Sequence, residues 1–232
     1  ARVVYTTPSH QCPTGATLTL RRRRLLLALA DRHDQTIIED DYDSEHRHVD
    51  RPLEPLHLLD TTGRVVYVAT FSKTLAPGLR LGYAVFPLHL APRAVELRRM
   101  IDVQPPDLLQ RAMHRFLVDG ELDRHLRRVR NTYGERHNTV TDFVARMTRL
   151  GLLEPLATNN AGLHVAVRLT TTDEPTLVER AATRGIRLGA YQSCWHATPD
   201  HHGTIIGFGN ISTEDLTAAL AEIEDVLTHT GR

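Results

Sequence analysis

Val65-Val66-Tyr67-Val68-Ala69-Thr70-Phe71-Ser72-Lys73-Thr74-Leu75-Ala76-Pro77-Gly78-Leu79-Arg80-Leu81-Gly82 is the stretch from which the rest of the chain is read. Its first five residues form a β-rich apolar run, which predicts a strand. Two hydroxyls, Thr70 and Ser72, precede Lys73, the only lysine among 232 residues. After a Pro-Gly break come Arg80 and a second strand-like run, Leu81-Gly82-Tyr83-Ala84-Val85-Phe86. A lysine at the end of a buried strand is costly unless it has a chemical task or a partner. Beside two hydroxyls and an arginine, it suits a phosphate-bearing aldehyde. Lys73 attacks the carbonyl carbon, and Thr70, Ser72 and Arg80 hold the phosphate.

Two more strands are expected upstream, at Val3–Thr6 and Thr36–Glu39, with a helix from about Leu18 to His33 between them, capped by Thr17 or Thr19. Strands joined through helices predict an α/β fold with a mostly parallel, doubly wound sheet. Ligands of such sheets sit at the carboxyl ends of the strands. Asp40 and Lys73 both fall at such ends, so one pocket could receive both. In the helix, Leu25, Leu26 and Leu29 are the expected core face. The run Arg21–Arg24 reads as a solvated face rather than a nucleic-acid patch, because no basic surplus exists elsewhere.

Downstream, helices are expected over Ala91–Met100 and Leu108–Leu117, separated by Pro105-Pro106, and a long amphipathic one from Gly120 to Leu150. The remainder reads as a small α+β unit. It has strands at Leu163–Val167, Ile186–Leu188 and Thr204–Phe208, a helix from Glu174 stopped by Gly185, and a closing helix capped by Ser212 with Asp215.

The stretch around Lys73 resembles the Schiff-base motif of fold-type I pyridoxal-phosphate enzymes. It is most similar to the aminotransferase-like domain of MocR-type regulators of the GntR superfamily. The segments Thr7-Pro8-Ser9-His10-Gln11-Cys12-Pro13-Thr14-Gly15 and Ile38-Glu39-Asp40-Asp41-Tyr42-Asp43-Ser44-Glu45 carry the same likeness. It extends over nearly the whole chain, with specific motifs in the first ~90 residues. The resemblance implies pyridoxal 5'-phosphate as cofactor, with Lys73 as the catalytic, imine-forming residue and Thr70, Ser72 and Arg80 on the phosphate. It also implies Asp40 on the pyridine nitrogen, Tyr42 on the ring's phenolic oxygen and His10 beside the ring. The choice of Asp40 over Asp41 rests on the resemblance alone; the pair also reads as a metal-binding or capping pair. His10 reads equally as a structural histidine.

The implied organisation is a partial large domain over 1–119, an interdomain helix over 120–150 and a C-terminal small domain over 151–232. It further implies an N-terminally truncated protein that senses an amine or amino acid, is a homodimer when complete, and reaches DNA only through an absent N-terminal domain. The alternative is a class I/II aminotransferase acting on an amino acid and a keto acid. Two departures weigh against it. Cys12 stands where aminotransferases carry asparagine and where regulators of this type usually carry an aromatic residue, and the last strand lacks an arginine for a substrate carboxylate.

Composition limits the partners. Lys+Arg and Asp+Glu are equal at 28 each, so no global field favours nucleic acid, and this chain alone is not expected to bind DNA specifically. Two distant cysteines, Cys12 and Cys194, form no disulfide framework and fit the reducing cytoplasm. No apolar run reaches the ~18 residues of a membrane span. The histidines His46, His48, His196, His201 and His202 lack metal-ligand spacing and read as solvated loop residues, so no metal is expected.

Overall fold

The computed structural model describes residues 1–46, 54–103, 106–157 and 161–230. The chain divides into two compact units. One comprises residues 1–11, 17–45 and 50–128; the other comprises 12–16, 46–49 and 129–232.

The first unit is built on a four-stranded sheet: β1 (Val3–Thr6), β2 (Thr36–Asp41), β3 (Val65–Thr70) and β4 (Gly82–Val85), in that spatial order. The first three strands are parallel and β4 is antiparallel to β3. The expected α/β class and mostly parallel sheet are present. Helix α1 (Leu20–Arg32) links β1 to β2, and Thr19 caps it by accepting the Arg22 amide. The short α2 (Leu56–Leu59) precedes β3. Helices α3 (Ala91–Asp102) and α4 (Asp107–Val118) follow β4. His48 and Pro105, singled out in the sequence, lie outside the described residues.

One sheet face is covered. Ile37, Val65, Leu56 and Ala30 are buried together, with Val4, Leu26 and Leu27 against them. The inward stripe of α1 is therefore Arg23, Leu26, Leu27 and Ala30, at helical spacing. Leu25 and Leu29, expected inside, are exposed, while Arg23, expected outside, has no exposed surface. Counting hydrophobic residues skips the one polar position on that stripe. Arg23 is accommodated because each of its three guanidinium nitrogens donates a hydrogen bond. It donates to the carbonyls of Leu18 (2.9 Å), Glu54 (3.0 Å) and Pro8 (2.8 Å), and lies 3.8 Å from the buried Glu39.

The turn entering β3 is held by Asp60. Its carboxylate accepts the amides of Thr62 (2.9 Å), Gly63 (3.1 Å), Arg64 (2.6 Å) and Val65 (2.8 Å). Partial burial pushes this carboxyl up, but the amide bonds outweigh it and hold it below the usual carboxylate range. The folded state thus releases the Asp60 proton more readily than the unfolded chain. Its contribution is present at neutral pH and fades as pH falls through that lowered value. Asp60→Ala is expected to cost about 1–3 kcal/mol at pH 7 in chemical denaturation, and progressively less in acid. An equal deficit at every pH would contradict this account.

Helix α5 (Glu121–Arg149) is a single run of 29 residues, as its amphipathic pattern predicts. Its first residues belong to the first unit and the rest to the second. In the second unit, Val140, Phe143, Val144 and Met147 of α5 pack into the larger core. The sheet there has the order β5 (Leu153–Pro155), β6 (His164–Leu169), β8 (Gly203–Gly207), β7 (Gly189–Ala190), and it is antiparallel throughout. Helices α6 (Glu174–Thr183) and α7 (Thr213–Thr230) complete it. The strand expected at Ile186–Leu188 forms instead at Gly189–Ala190. A Cβ on Gly189 would stand 2.8 Å from the Ile205 side chain, so the closest backbone approach falls where glycine permits it. His46, expected to be solvated, is buried edge-on against Tyr133, with ring centroids 4.8 Å apart. Among the described residues no helix is long and apolar enough to cross a membrane.

Candidate functional site

The sequence-predicted residues all belong to the first unit, at the carboxyl ends of the parallel strands or in the loops that follow them. At the end of β3, Thr70 donates to Ser72 Oγ (3.0 Å) and accepts the Ser72 amide (3.1 Å). The two hydroxyls and one backbone N–H are thereby gathered directly before Lys73. The Phe71 carbonyl accepts the amides of Leu75 (2.9 Å) and Ala76 (3.3 Å), closing a turn with Lys73 on its outside. Lys73 is exposed rather than buried at the strand end, while its neighbour Thr74 is buried.

The chain then makes a short helical turn over Pro77–Leu79 and reaches Arg80, whose backbone is left-handed (φ 49°). Such a conformation costs a side-chain-bearing residue about 1–3 kcal/mol and favours glycine. An arginine kept there points to a task for its guanidinium. The return into β4 is tight: a Cβ on Gly82 would lie 2.6 Å from the Ala69 carbonyl oxygen.

Strand β2 separates the two carboxylates of the Asp40-Asp41 pair onto opposite sheet faces. Asp41 is buried on the covered face. Its Oδ2 accepts the hydroxyls of Tyr67 (2.8 Å) and Ser44 (2.7 Å), while Oδ1 is buried with no hydrogen-bond partner among the described residues. Burial, then the neighbouring Asp41 carboxylate, raises the Tyr67 phenol far above its ordinary range, so Tyr67 remains a donor. Asp40 is on the other face, where its carboxylate accepts the hydroxyl of the exposed Tyr5. The alternation therefore makes Asp41 an acceptor for Tyr67 and Ser44 and turns Asp40, which is half-buried, to the opposite face.

His10 is buried, with Nδ1 2.8 Å from Asp43 Oδ2. Tyr42 donates to the His10 carbonyl (3.0 Å), and its hydroxyl lies 3.3 Å from Nδ1. The structure brings His10 and Tyr42 together and adds Asp43, which sequence reasoning missed. The signal was present in the parallel register: Thr6 pairs with Glu39, and four residues beyond each lie His10 and Asp43. Alongside is an open cleft of about 1440 Å³ between the β3–β4 side of the sheet and helices α3 and α4; its lining includes Thr70, Arg80, Tyr42 and Asp41, but not Asp40, Ser72, Lys73 or His10.

A parallel sheet ending in an antiparallel strand, with a hydroxyl-flanked lysine in the following turn, is the large-domain arrangement of fold-type I transferases. The whole chain aligns in this sense with Pyrococcus horikoshii kynurenine aminotransferase, solved with PMP (TM-score 0.89, 25% identity), over 99% of this chain and 56% of that one. It also aligns with the multiple substrate aminotransferase of Thermococcus profundus (TM-score 0.88, 26% identity), over 99% and 57%.

The chain belongs to the aminotransferase class I and II family, whose sequence profile matches residues 2–197. Similar curated proteins are the uncharacterized HTH-type transcriptional regulator YhdI of Bacillus subtilis, 33% identical over 96% of this chain and 47% of that protein, and the probable rhizopine catabolism regulatory protein MocR of Rhizobium meliloti, 36% identical over 93% and 43%. A third is the pyridoxine biosynthesis regulator PdxR of Corynebacterium glutamicum, 35% identical over 96% and 48%. The chain spans about half the length of the curated relatives it matches.

Proposed function

We propose that this chain is the aminotransferase-like, effector-sensing domain of a transcriptional regulator, and that it holds pyridoxal 5'-phosphate through Lys73. The observation that carries the reading is the gathering of the Thr70 and Ser72 hydroxyls, 3.0 Å apart, directly before the only lysine. These groups fit the cofactor chemically. Two hydroxyls, a backbone N–H and the Arg80 fork suit a phosphate. The Lys73 amine suits an aldehyde, and the Asp40 carboxylate, on the opposite face from the buried Asp41, suits a protonated ring nitrogen. When bound, the cofactor supplies an aldehyde that exchanges amines and a ring that withdraws electrons from carbon. Tyr42, held through the His10 carbonyl, presents a phenol to the same site, and Asp43 fixes the His10 ring.

The regulatory side of the reading rests on relatives that are named as regulators and are about twice as long as this chain. In this reading the effector is an amine or amino acid, DNA is reached through a domain outside the chain, and the complete protein is a homodimer. Residues 1–119 are then part of a cofactor domain, 120–150 its joining helix and 151–232 a small domain. The test is to titrate the chain with pyridoxal phosphate, reduce with borohydride and map the adduct by mass spectrometry. An adduct confined to the terminal amine, or none at millimolar cofactor, would refute the site. Sustained turnover of an amino acid with a keto acid would favour the aminotransferase reading instead.

Arg80→Gly separates the two roles of that residue. It is expected to leave thermal stability unchanged or raised, because glycine accepts the left-handed backbone. Loss of a charge-assisted fork worth about 1.5–3 kcal/mol should weaken phosphate-dependent capture by roughly tenfold or more. Reduced stability with unchanged capture would reverse the assignment.

A further inference from the structure

Helix α5 meets the turn that carries Lys73 at a polar contact. His125 Nε2 lies 2.9 Å from the backbone carbonyl oxygen of Thr74. A carbonyl only accepts, so Nε2 carries a hydrogen and donates. Both residues belong to the first unit. The turn is pinned at its start by the Thr70–Ser72 hydroxyls and internally by the Phe71 carbonyl. Its far side, just after Lys73, is gripped by the buried Thr74 and by His125. A lysine has a long flexible stem, so a protein directs it mainly by fixing its Cα–Cβ direction. A 29-residue helix is a firm post for that purpose.

We propose that His125 is a positioning residue for Lys73, holding the Phe71–Ala76 turn through the Thr74 carbonyl so that the amine points at the Thr70–Ser72 hydroxyl pair. The proposal rests on Lys73 being the residue that captures pyridoxal phosphate. The functional requirement is a donor at this place, not a titrating ring, so a neutral donor should substitute.

The test compares wild type, His125→Ala, His125→Leu and His125→Gln as the full chain. Leucine keeps side-chain bulk should alanine unfold the chain, and glutamine restores an N–H donor. The measurements are borohydride-trapped pyridoxyl on Lys73 against cofactor concentration, the pH profile of that trapping, and amide exchange at Leu75 and Ala76. Losing one hydrogen bond should weaken capture by about three- to tenfold. It should also shift the pH profile and speed exchange at both amides, and glutamine should recover most of the loss. Leucine and alanine variants that trap like wild type, with an unchanged pH profile, would overturn the proposal while leaving the cofactor reading intact. Weak capture that glutamine fails to restore, with an unmoved pH profile, would assign His125 a structural role only. If wild type itself fails to trap on Lys73, the cofactor reading fails and the proposal falls with it.

Discussion

Lys73→Ala is expected to abolish borohydride-trapped pyridoxal phosphate on internal side chains, leaving at most modification of the terminal amine. The effect is all or none because no second lysine exists to substitute. Arginine does not replace it, since its guanidinium stays protonated at any working pH and does not attack an aldehyde. The side chain is exposed, so its removal opens no cavity, and the stability change should stay within about 0.5 kcal/mol. Covalent capture lost with the unfolding midpoint unmoved is therefore the expected pair of results. Residual adduct on another internal residue of the variant would show that the hydroxyl pair serves something other than this lysine.

Arg23→Leu should have the largest effect on stability. The substitution leaves Glu39 in a place with no exposed surface and removes the donor from three carbonyls. Breaking a buried pair from one side costs about 3–5 kcal/mol, against a total stability of about 5–15 kcal/mol for a typical domain. The first unit should be largely unfolded or markedly less heat-stable. Burial raises the Glu39 carboxyl above its ordinary range, opposed by the amides of His57 and Leu56 and then by Arg23. A raised carboxyl means that the folded state holds the proton more tightly than the unfolded chain. Stability therefore falls as pH rises through and above the usual carboxylate range. Without Arg23 that fall should steepen, so the deficit measured by urea unfolding should be smaller at pH 4 than at pH 7. Arg21, Arg22 and Arg24 are exposed, and their alanine variants should each change stability by less than about 0.5 kcal/mol. A comparable loss from any of those three would show that the buried cluster is not what sets Arg23 apart.

The parts legible in advance were those whose chemistry is contiguous. Thr70, Ser72 and Lys73 lie in one turn, and strand propensity on either side places that turn at a sheet end. The closing helix was legible for the same reason: Ser212 accepts the Asp215 amide at 3.0 Å, as the spacing of the two residues predicts. Arg23 was misread because hydrophobic counting has no way to mark a buried cation whose partners lie in Pro8, Leu18, Glu39 and Glu54. The short β7 was displaced because interstrand clearance, which depends on a facing isoleucine, decided its place. The His10–Asp43 pair needed the β1–β2 register, which no local pattern supplies.

Strand β2 has a consequence for insertions and deletions. Its two adjacent carboxylates differ only in which way the pleat turns them, so gaining or losing one residue between Thr36 and Asp41 would exchange them. The Tyr67 and Ser44 hydroxyls would then meet the wrong carboxylate, and Asp41 would be turned to the opposite face. Loops elsewhere in the chain tolerate changes of length, but this six-residue segment is a fixed ruler. Homologous chains should vary its letters more freely than its length.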